Sequence, residues 1–377
     1  MVSTVSVSDA STGANVHGAT GCVTIDLSAL GRNYDRLAAT VAPARVAAVV
    51  KANAYGLGIE RVAKILSRKG CRHFFVAHLS EAMDLRPMLP RDAQVFVLNG
   101  LQPGRETACT EGGIIPVLNS MEQWRRWSAT ARSLNHTLPA VLQFDTGMSR
   151  LGFPPDERPA LAEALRTDGH VEILFIMSHL ACADEPDSDQ NGEQLAEMRR
   201  IAVEFGGFDT SFANSGGVFL GDGYRGALAR PGIALYGGAP TTGAPNPMEP
   251  VVSLDVSVVQ VRTVPAGTKV GYGGIHVAKR QARLATIAAG YADGLPRSLS
   301  DRGAVYYEGV RLPIVGRVSM DSITVDVSAL PEGTLTLGSF VEVLGPNQTL
   351  EDLARDAATI SYEILTSLGP RFQRRYR

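Results

Sequence analysis

The sequence predicts an α/β chain in two parts, an N-terminal (β/α)8 TIM-like barrel followed by a mainly antiparallel β domain. Three observations predict it. Between residues 46 and 240, eight short and nearly continuous apolar runs recur, the pattern of strands buried on both faces of a parallel sheet. The segments between them place apolar residues at helical spacing, and eight such alternations in about 200 residues suit a closed barrel. After the Gly/Pro-rich stretch "GAPTTGAPNPMEP", residues 238–250, the texture changes to alternating strands.

Residues 1–21 open on a Ser/Thr/Ala/Gly-rich stretch with neither a basic start nor an apolar h-region, so a flexible extension is expected there, not a secretory signal. The barrel is expected over 22–250. Its strands are read at "VAAVV" (46–50), "HFFVAHL" (73–79), "QVFVLNG" (94–100), "GIIPVLN" (113–119), "PAVLQFD" (139–145), "VEILFIMSHL" (171–180), "SFANSG" (211–216) and "IALYGG" (233–238). Among the helices, Ile59, Val62, Ala63 and Leu66 share one face before a stop at Gly70, and Leu195, Met198, Ala202 and Phe205 share another. The β domain, 251–377, is expected to hold "VVSLDVSVVQVRTV", "ARLATIAAGYA", "AVYYEGVRLPIVGRVSM", "SITVDVSAL" and "SFVEVLG". A helical segment closes it, "TLEDLARDAATISYEILTSLG", with Thr349 and Asp352 at its start.

Composition narrows the function. The 377 residues are 45% hydrophobic and 20% charged with a net charge of −2, which gives no electrostatic reason to bind nucleic acid or an anionic membrane. Four cysteines lie far apart with no CxxC, arguing against a zinc site or a disulfide framework. No apolar run reaches the roughly 18 residues of a membrane span. A soluble, cytoplasmic protein that handles a small molecule is expected, with no metal.

In a barrel the chemistry gathers at the C-terminal ends of the strands. Lys51 sits there after the first strand, Asp145 and Arg150 after the fifth, His179 after the sixth, Asn214 and Ser215 after the seventh, and Arg230 to Gly232 before the eighth. A lysine is usually solvated, but one desolvated among polar groups becomes an amine nucleophile or a base. "ANSGG" and "RPGIALYGG" offer a hydroxyl and open amides where barrels hold phosphate. The motifs GxxxxGK[ST], HExxH, GxSxG and a strand-borne GxGxxG are absent. A lysine opposite a phosphate site points to pyridoxal phosphate.

At this point the chain resembles the alanine racemases. "AVVKANAYGLG", "DTGMSRLGF", "MSHLACADE", "ANSGG", "RPGIALYGG", "GYGGIHV", "ATIAAGYADGLPR" and "GRVSMDS" occur in that family's order, from about residue 24 to the C-terminus. The resemblance implies that Lys51 holds pyridoxal 5'-phosphate as an internal aldimine and serves as one proton-transfer base. Tyr272 would be the other, presented to the partner subunit's site in a homodimer. Tyr55, Ser215, the amides near Gly232 and Ile233, and Tyr362 would bind the phosphate. Arg150 would contact the cofactor's phenolic oxygen and the substrate carboxylate, with the Met320 backbone also near that carboxylate. His179 would pack by the pyridine ring, and Arg230, always charged, would leave the ring nitrogen unprotonated and so discourage transamination and decarboxylation.

The activity implied is interconversion of L- and D-alanine, supplying D-alanine for peptidoglycan. The alternatives are a racemase of broader specificity, for serine for example, or a non-catalytic pyridoxal-phosphate-binding protein. Such carriers consist of the barrel alone, so the segment bearing Tyr272 speaks against the last. Tyr291, Asp184, Arg297 and Arg317 match the family's entrance region, and Asp145 is expected to orient its own loop. Two departures stand out. Gln143 occupies a position where many members carry a carbamylated lysine beside the arginine matching Arg150, so Arg150 must be held otherwise, by an amide hydrogen bond or an anion. Leu57 replaces a histidine.

Overall fold

The computed structural model describes residues 18–377. Most of the extension expected at 1–21 lies outside the described residues, and its last residue already begins the strand Gly21–Ile25. The chain divides into two compact units. One comprises Ile25–Val252, Thr349–Ser367 and Tyr376–Arg377, and the other Ser253–Gln348, Leu368–Arg375 and the described part of Met1–Thr24. The division differs from the sequence boundary at 250/251 because the closing helical segment joins the barrel unit.

The barrel unit carries a parallel sheet of seven strands in sequential order: Ala48–Val49, His73–Val76, Gln94–Val97, Ile115–Leu118, Leu138–Gln143, Val171–Met177 and Thr210–Ser211. The eighth strand is Leu228–Ala229, paired in parallel with Arg45–Val46. Backbone bonds tie its segment to both ends of the sheet: Ala47 N–H donates to Ala229 O at 2.8 Å and Val49 N–H to Pro231 O at 3.1 Å, while Arg230 N–H donates to Ala213 O at 2.8 Å. The barrel therefore closes five residues earlier than "IALYGG". That run forms a short 3-10 helix, Ile233–Tyr236, with every residue buried. A wholly buried helical turn and a buried strand have the same apolar signature, so periodicity could not separate them.

The helix before the first strand, Leu27–Val41, starts where Asp26 accepts a hydrogen bond from Ala29 N–H at 2.8 Å. The closing segment is two helices, Leu350–Asp356 and Ser361–Ser367. Thr349 and Asp352 form the capping box of the first, and Ala358, at φ 54°, separates it from the second.

The β unit is built on the long strand Val252–Val264. Its first half pairs antiparallel with Phe340–Leu344 and its second half with Ala282–Ile287, the register shifting between Val258 and Gln260. Ile323–Asp326 and the hairpin Ala304–Tyr307/Val310–Pro313 extend this sheet, and Gly21–Ile25 and Gln373–Tyr376 complete it on the other side. A small hairpin, Lys269–Val270 with His276–Val277, carries Tyr272 at its tip. Among the described residues no helix is long and apolar enough to cross a membrane.

One glycine follows directly from this packing. Gly56 has φ 82°, and a Cβ there would lie 2.7 Å from the Leu365 carbonyl oxygen in the second closing helix. Gly56→Ala is therefore expected to lower stability by about 2 kcal/mol, backbone strain and overlap together, read as an earlier urea midpoint. An unchanged midpoint would contradict the packing of that helix on the loop after the first strand.

Candidate active site

Lys51 follows the first barrel strand and opens an unusual turn. Ala52, Asn53, Ala54 and Tyr55 all take left-handed backbone angles, with φ 54–55°. Each costs a non-glycine residue roughly 1–2 kcal/mol, so the surroundings must impose the shape. Ala54 N–H donates to Val50 O at 2.9 Å, Gly58 N–H to Asn53 O at 3.0 Å, and Ile59 N–H to Asn53 Oδ1 at 2.8 Å. Ala52 N–H donates to Glu81 Oε1 at 2.6 Å. Leu57, the substitution that sequence reasoning could not explain, is fully buried, and its carbonyl accepts the Tyr376 hydroxyl at 3.0 Å. An apolar side chain fits this place. Burial, and then the Arg150 guanidinium, hold the Lys51 ammonium below the ordinary lysine range, with Glu81 acting in opposition.

Tyr55 lies buried against Tyr236, ring centroids 4.6 Å apart, and 6.0 Å from Tyr362. Burial raises its phenol well above the usual range, and Tyr362 is pushed up to about 12, so both remain O–H donors at neutral pH. The Tyr55 hydroxyl faces Gly232: a Cβ on that glycine would lie 2.2 Å from the oxygen. Ser215 Oγ accepts Gly232 N–H at 2.9 Å and Ala234 N–H at 3.3 Å. The neighbouring N–H groups of Ser215, Gly216 and Ile233 have no acceptor among the described residues. A neutral phenol, a hydroxyl and convergent free amides make a cradle for a phosphate. One detail departs from the sequence expectation: the Gly232 amide is already engaged by Ser215, which leaves Ile233 as the open donor of that pair.

The centre of the rim is cationic. Arg230 is 3% exposed, donating to Ser211 Oγ at 2.5 Å and to Ser178 O at 2.6 Å. It has no carboxylate partner among the described residues, and burial lowers its pKa to about 9, still protonated at neutral pH. His179 is brought down to about 3 by burial, then by Arg230, Arg150 and Lys51. A neutral imidazole among three cations can lie beside an aromatic ring without adding charge. Arg150 is exposed on a loop organised by Asp145, whose Oδ1 accepts the N–H groups of Gly147, Met148 and Ser149 at 2.9, 3.0 and 3.1 Å. Asp145 thus orients its own loop. Buried Gln143 makes no side-chain hydrogen bond to Arg150, so the expected direct amide contact is not formed.

Two residues of this rim escaped sequence reasoning. Glu81 was visible only as the fourth residue of "HLSE", a helix-start pattern, and its partner Ala52 is distant in sequence. Gln194, 1% exposed, donates to Thr146 Oγ1 at 3.0 Å and His179 O at 2.9 Å and accepts Ala181 N–H at 2.9 Å, tying the Arg150 and His179 loops together. No spacing in the chain signals that role.

Tyr272 and Met320 belong to the β unit. They line one cavity of about 760 Å³ with Tyr291, Arg297, Val318 and Asp321. Tyr272 is 68% exposed and Met320 52% exposed, and the Met320 N–H has no acceptor among the described residues. The barrel residues fit pyridoxal phosphate: an amine of depressed basicity, a phosphate cradle, and a buried guanidinium without a carboxylate.

Comparison with known proteins identifies the family. Residues 25–240 match the family model of the alanine racemase N-terminal domain, and residues 251–376 that of its C-terminal domain. A Rhizobium johnstonii protein named "Alanine racemase, catabolic" is 71% identical over 377 residues, all of both chains, and an Agrobacterium fabrum protein of the same name is 61% identical, covering 95% of this chain and 92% of that one. The crystal structure of alanine racemase from Bartonella henselae with covalently bound pyridoxal phosphate superposes with a TM-score of 0.92 at 44% identity, covering 95% of this chain and all of that one. The biosynthetic alanine racemase of Pseudomonas aeruginosa gives 0.89 at 34%, covering 95% and 99%.

The depressed His179 has a consequence for stability. Below its ordinary pKa the unfolded chain takes up a proton that the folded site refuses until about pH 3, so folding weakens as pH falls from about 6.5 to about 3. Replacing His179 with glutamine should remove up to about one proton of that dependence. The difference between the two urea-denaturation profiles measured across this range tests it; parallel profiles would rule out a neutral His179 in the folded site.

Proposed function

The chain belongs to the alanine racemase family and is a pyridoxal-phosphate-dependent racemase interconverting L- and D-alanine; within that activity we propose that Lys51 and Tyr272 are its two proton-transfer bases. The observation that carries the reading is buried Arg230, held by Ser178 and Ser211 with no carboxylate partner among the described residues. When bound, the cofactor supplies an electron sink that acidifies the substrate's Cα–H. Arg230, protonated at neutral pH, would discourage protonation of the ring nitrogen if it meets it and so limit that sink, which would favour proton exchange over loss of the carboxylate.

Racemisation needs a proton removed from one face and returned on the other, so two opposed bases suit it better than one. Lys51, its amine made available by burial and by Arg150, serves one face. Tyr272 serves the other. Arg150 and the free Met320 N–H would bind the substrate carboxylate, Arg150 would also meet the cofactor's phenolic oxygen, and Tyr55, the Ser215 hydroxyl, the open Ile233 amide and Tyr362 would hold the phosphate, the Gly232 amide being taken by Ser215. His179 stays neutral and would pack beside the cofactor's ring.

We further propose a homodimer in which Tyr272 and Met320 complete the site of a second copy. Tyr272, Ile275, Val277, Tyr291 and Met320 expose a large apolar area on the β unit, the composition of a face that meets a partner. For the cellular role, relatives at 71% and 61% identity are named as catabolic, which favours alanine breakdown over the peptidoglycan supply expected from sequence. Deleting the gene distinguishes these roles: loss of growth on alanine as carbon source supports breakdown, and D-alanine auxotrophy supports supply. Cytoplasmic location is part of the same proposal, tested by cell fractionation.

Loss of α-deuterium from L- and D-alanine should be catalysed by the purified protein. Lys51→Ala should abolish both the exchange and the cofactor's absorbance band. Tyr272→Phe should retain the band and slow exchange by about 10² to 10⁴, far more from L-alanine than from D-alanine; equal losses would refute the face assignment. Mixing the two inactive variants should recover up to about a quarter of normal activity, since half of random dimers carry one intact site of two. No recovery after verified subunit exchange would refute a site shared between copies.

A further inference from the structure

We propose that Glu81, in the helix after the second barrel strand, is a positioning residue for Lys51, clamping the left-handed turn that follows the lysine and setting a negative charge beside it. The inference rests on the reading of Lys51 as the cofactor lysine. Glu81 binds three backbone N–H groups from two loops: Oε1 accepts from Ala52 at 2.6 Å, and Oε2 from Ala77 at 2.9 Å and His78 at 3.0 Å. The last two bonds would suffice to start its own helix, Leu79–Leu85. The bond to Ala52 serves a different purpose, because it crosses to the strained turn.

That turn needs an external acceptor. At the start of any helical turn the first N–H groups lack internal partners. Val50 O takes Ala54 N–H, whereas the Ala52 N–H finds its acceptor in Glu81. Ala52 is also the first of four non-glycine residues at positive φ and the immediate neighbour of Lys51. Loss of the bond at this point would free the turn to relax toward ordinary backbone angles and would carry Lys51 with it.

Charge gives the clamp a second effect. The groups acting on the Lys51 amine are Arg150 and Glu81, and Lys51 in turn acts on His179 alongside Arg150 and Arg230. Arg150 favours the free amine, and Glu81 favours the ammonium. Glutamine at this position would remove the charge and could keep its one oxygen for Ala52, but its NH2 would then face the Ala77 and His78 N–H groups that Oε2 now accepts.

The test uses the full-length protein and two readouts besides activity. One is the dissociation constant for pyridoxal phosphate. The other is the pH midpoint for acetylation of Lys51 by acetic anhydride in cofactor-depleted protein, followed by mass spectrometry. Glu81→Ala is expected to weaken cofactor binding by about tenfold or more, the effect of losing one charged hydrogen bond. Glu81→Gln, which can hold Ala52 only by giving up the bonds from Ala77 and His78, is expected to weaken cofactor binding less than Glu81→Ala while moving the Lys51 midpoint down by about half a unit or more. Affinity of Glu81→Ala within about twofold of the unsubstituted protein, or an unmoved midpoint in Glu81→Gln, would overturn the proposal. Should Glu81→Ala fail to fold, the Glu81→Gln midpoint alone decides. Failure of the unsubstituted protein to take pyridoxal phosphate on Lys51 would sink the reading of Lys51 instead.

Discussion

The site depends on a reversal of backbone hand immediately after the first barrel strand. Up to Val50, whose N–H donates to Phe75 O at 2.9 Å, the chain is committed to the parallel ladder. Over the next residues it winds left-handed through alanine, asparagine, alanine and tyrosine, none of which prefers that hand. Strain of this kind persists only where the surroundings over-determine it. Here they do so on every side: Glu81 at the start, Asn53 bonded to Ile59 at the end, and Tyr55 buried against Tyr236 below. The same turn that presents Lys51 therefore buries Tyr55 and aims its hydroxyl at Gly232 in the phosphate cradle.

The electrostatics follow from what that arrangement encloses. A chain of net charge −2 gathers Lys51, Arg150 and Arg230 around His179, with Glu81 acting against them on Lys51. Such a pocket suits a cofactor and substrate that each bring negative charge, and it keeps His179 unprotonated. Buried cations without carboxylates are unfavourable alone, and Arg230 is tolerated because a hydroxyl and a carbonyl take two of its N–H groups.

Much of this was legible in the sequence because chemistry in a barrel is confined to strand ends. Lys51, His179, Ser215 and Arg230 each follow or precede an apolar run, so their place at strand ends alone brings them to one rim. The misplaced eighth strand shows where that legibility stops. Leu228–Ala229 is two residues long and is followed by Arg230, Pro231 and Gly232, whereas "IALY" is longer, apolar and buried yet helical. The break of the closing helical segment at Ala358 is equally illegible, since alanine carries no turn signal. Glu81 and Gln194 stayed hidden for a common reason: each is a polar side chain whose partners are backbone groups of other loops, and backbone groups have no sequence signature.

Gln194 shows why such residues matter to the chemistry. Its side chain bridges Thr146, which shares a hydroxyl contact of 2.8 Å with Ser178, and the His179 carbonyl. Ser178 O is also a hydrogen-bond acceptor for Arg230. One buried amide thus connects the loop that leads to Arg150, the His179 backbone and, through Thr146 and Ser178, the segment that holds Arg230. Each of these groups lies on a different segment, and a cofactor held by several of them is only as well oriented as their mutual spacing. A shift of one loop would alter the angle between the phosphate cradle and Arg230, whereas a fully bonded amide at their junction makes the loops move together or not at all. The spacing of this site accordingly rests on buried polar groups such as Gln194 as well as on the side chains they hold in place.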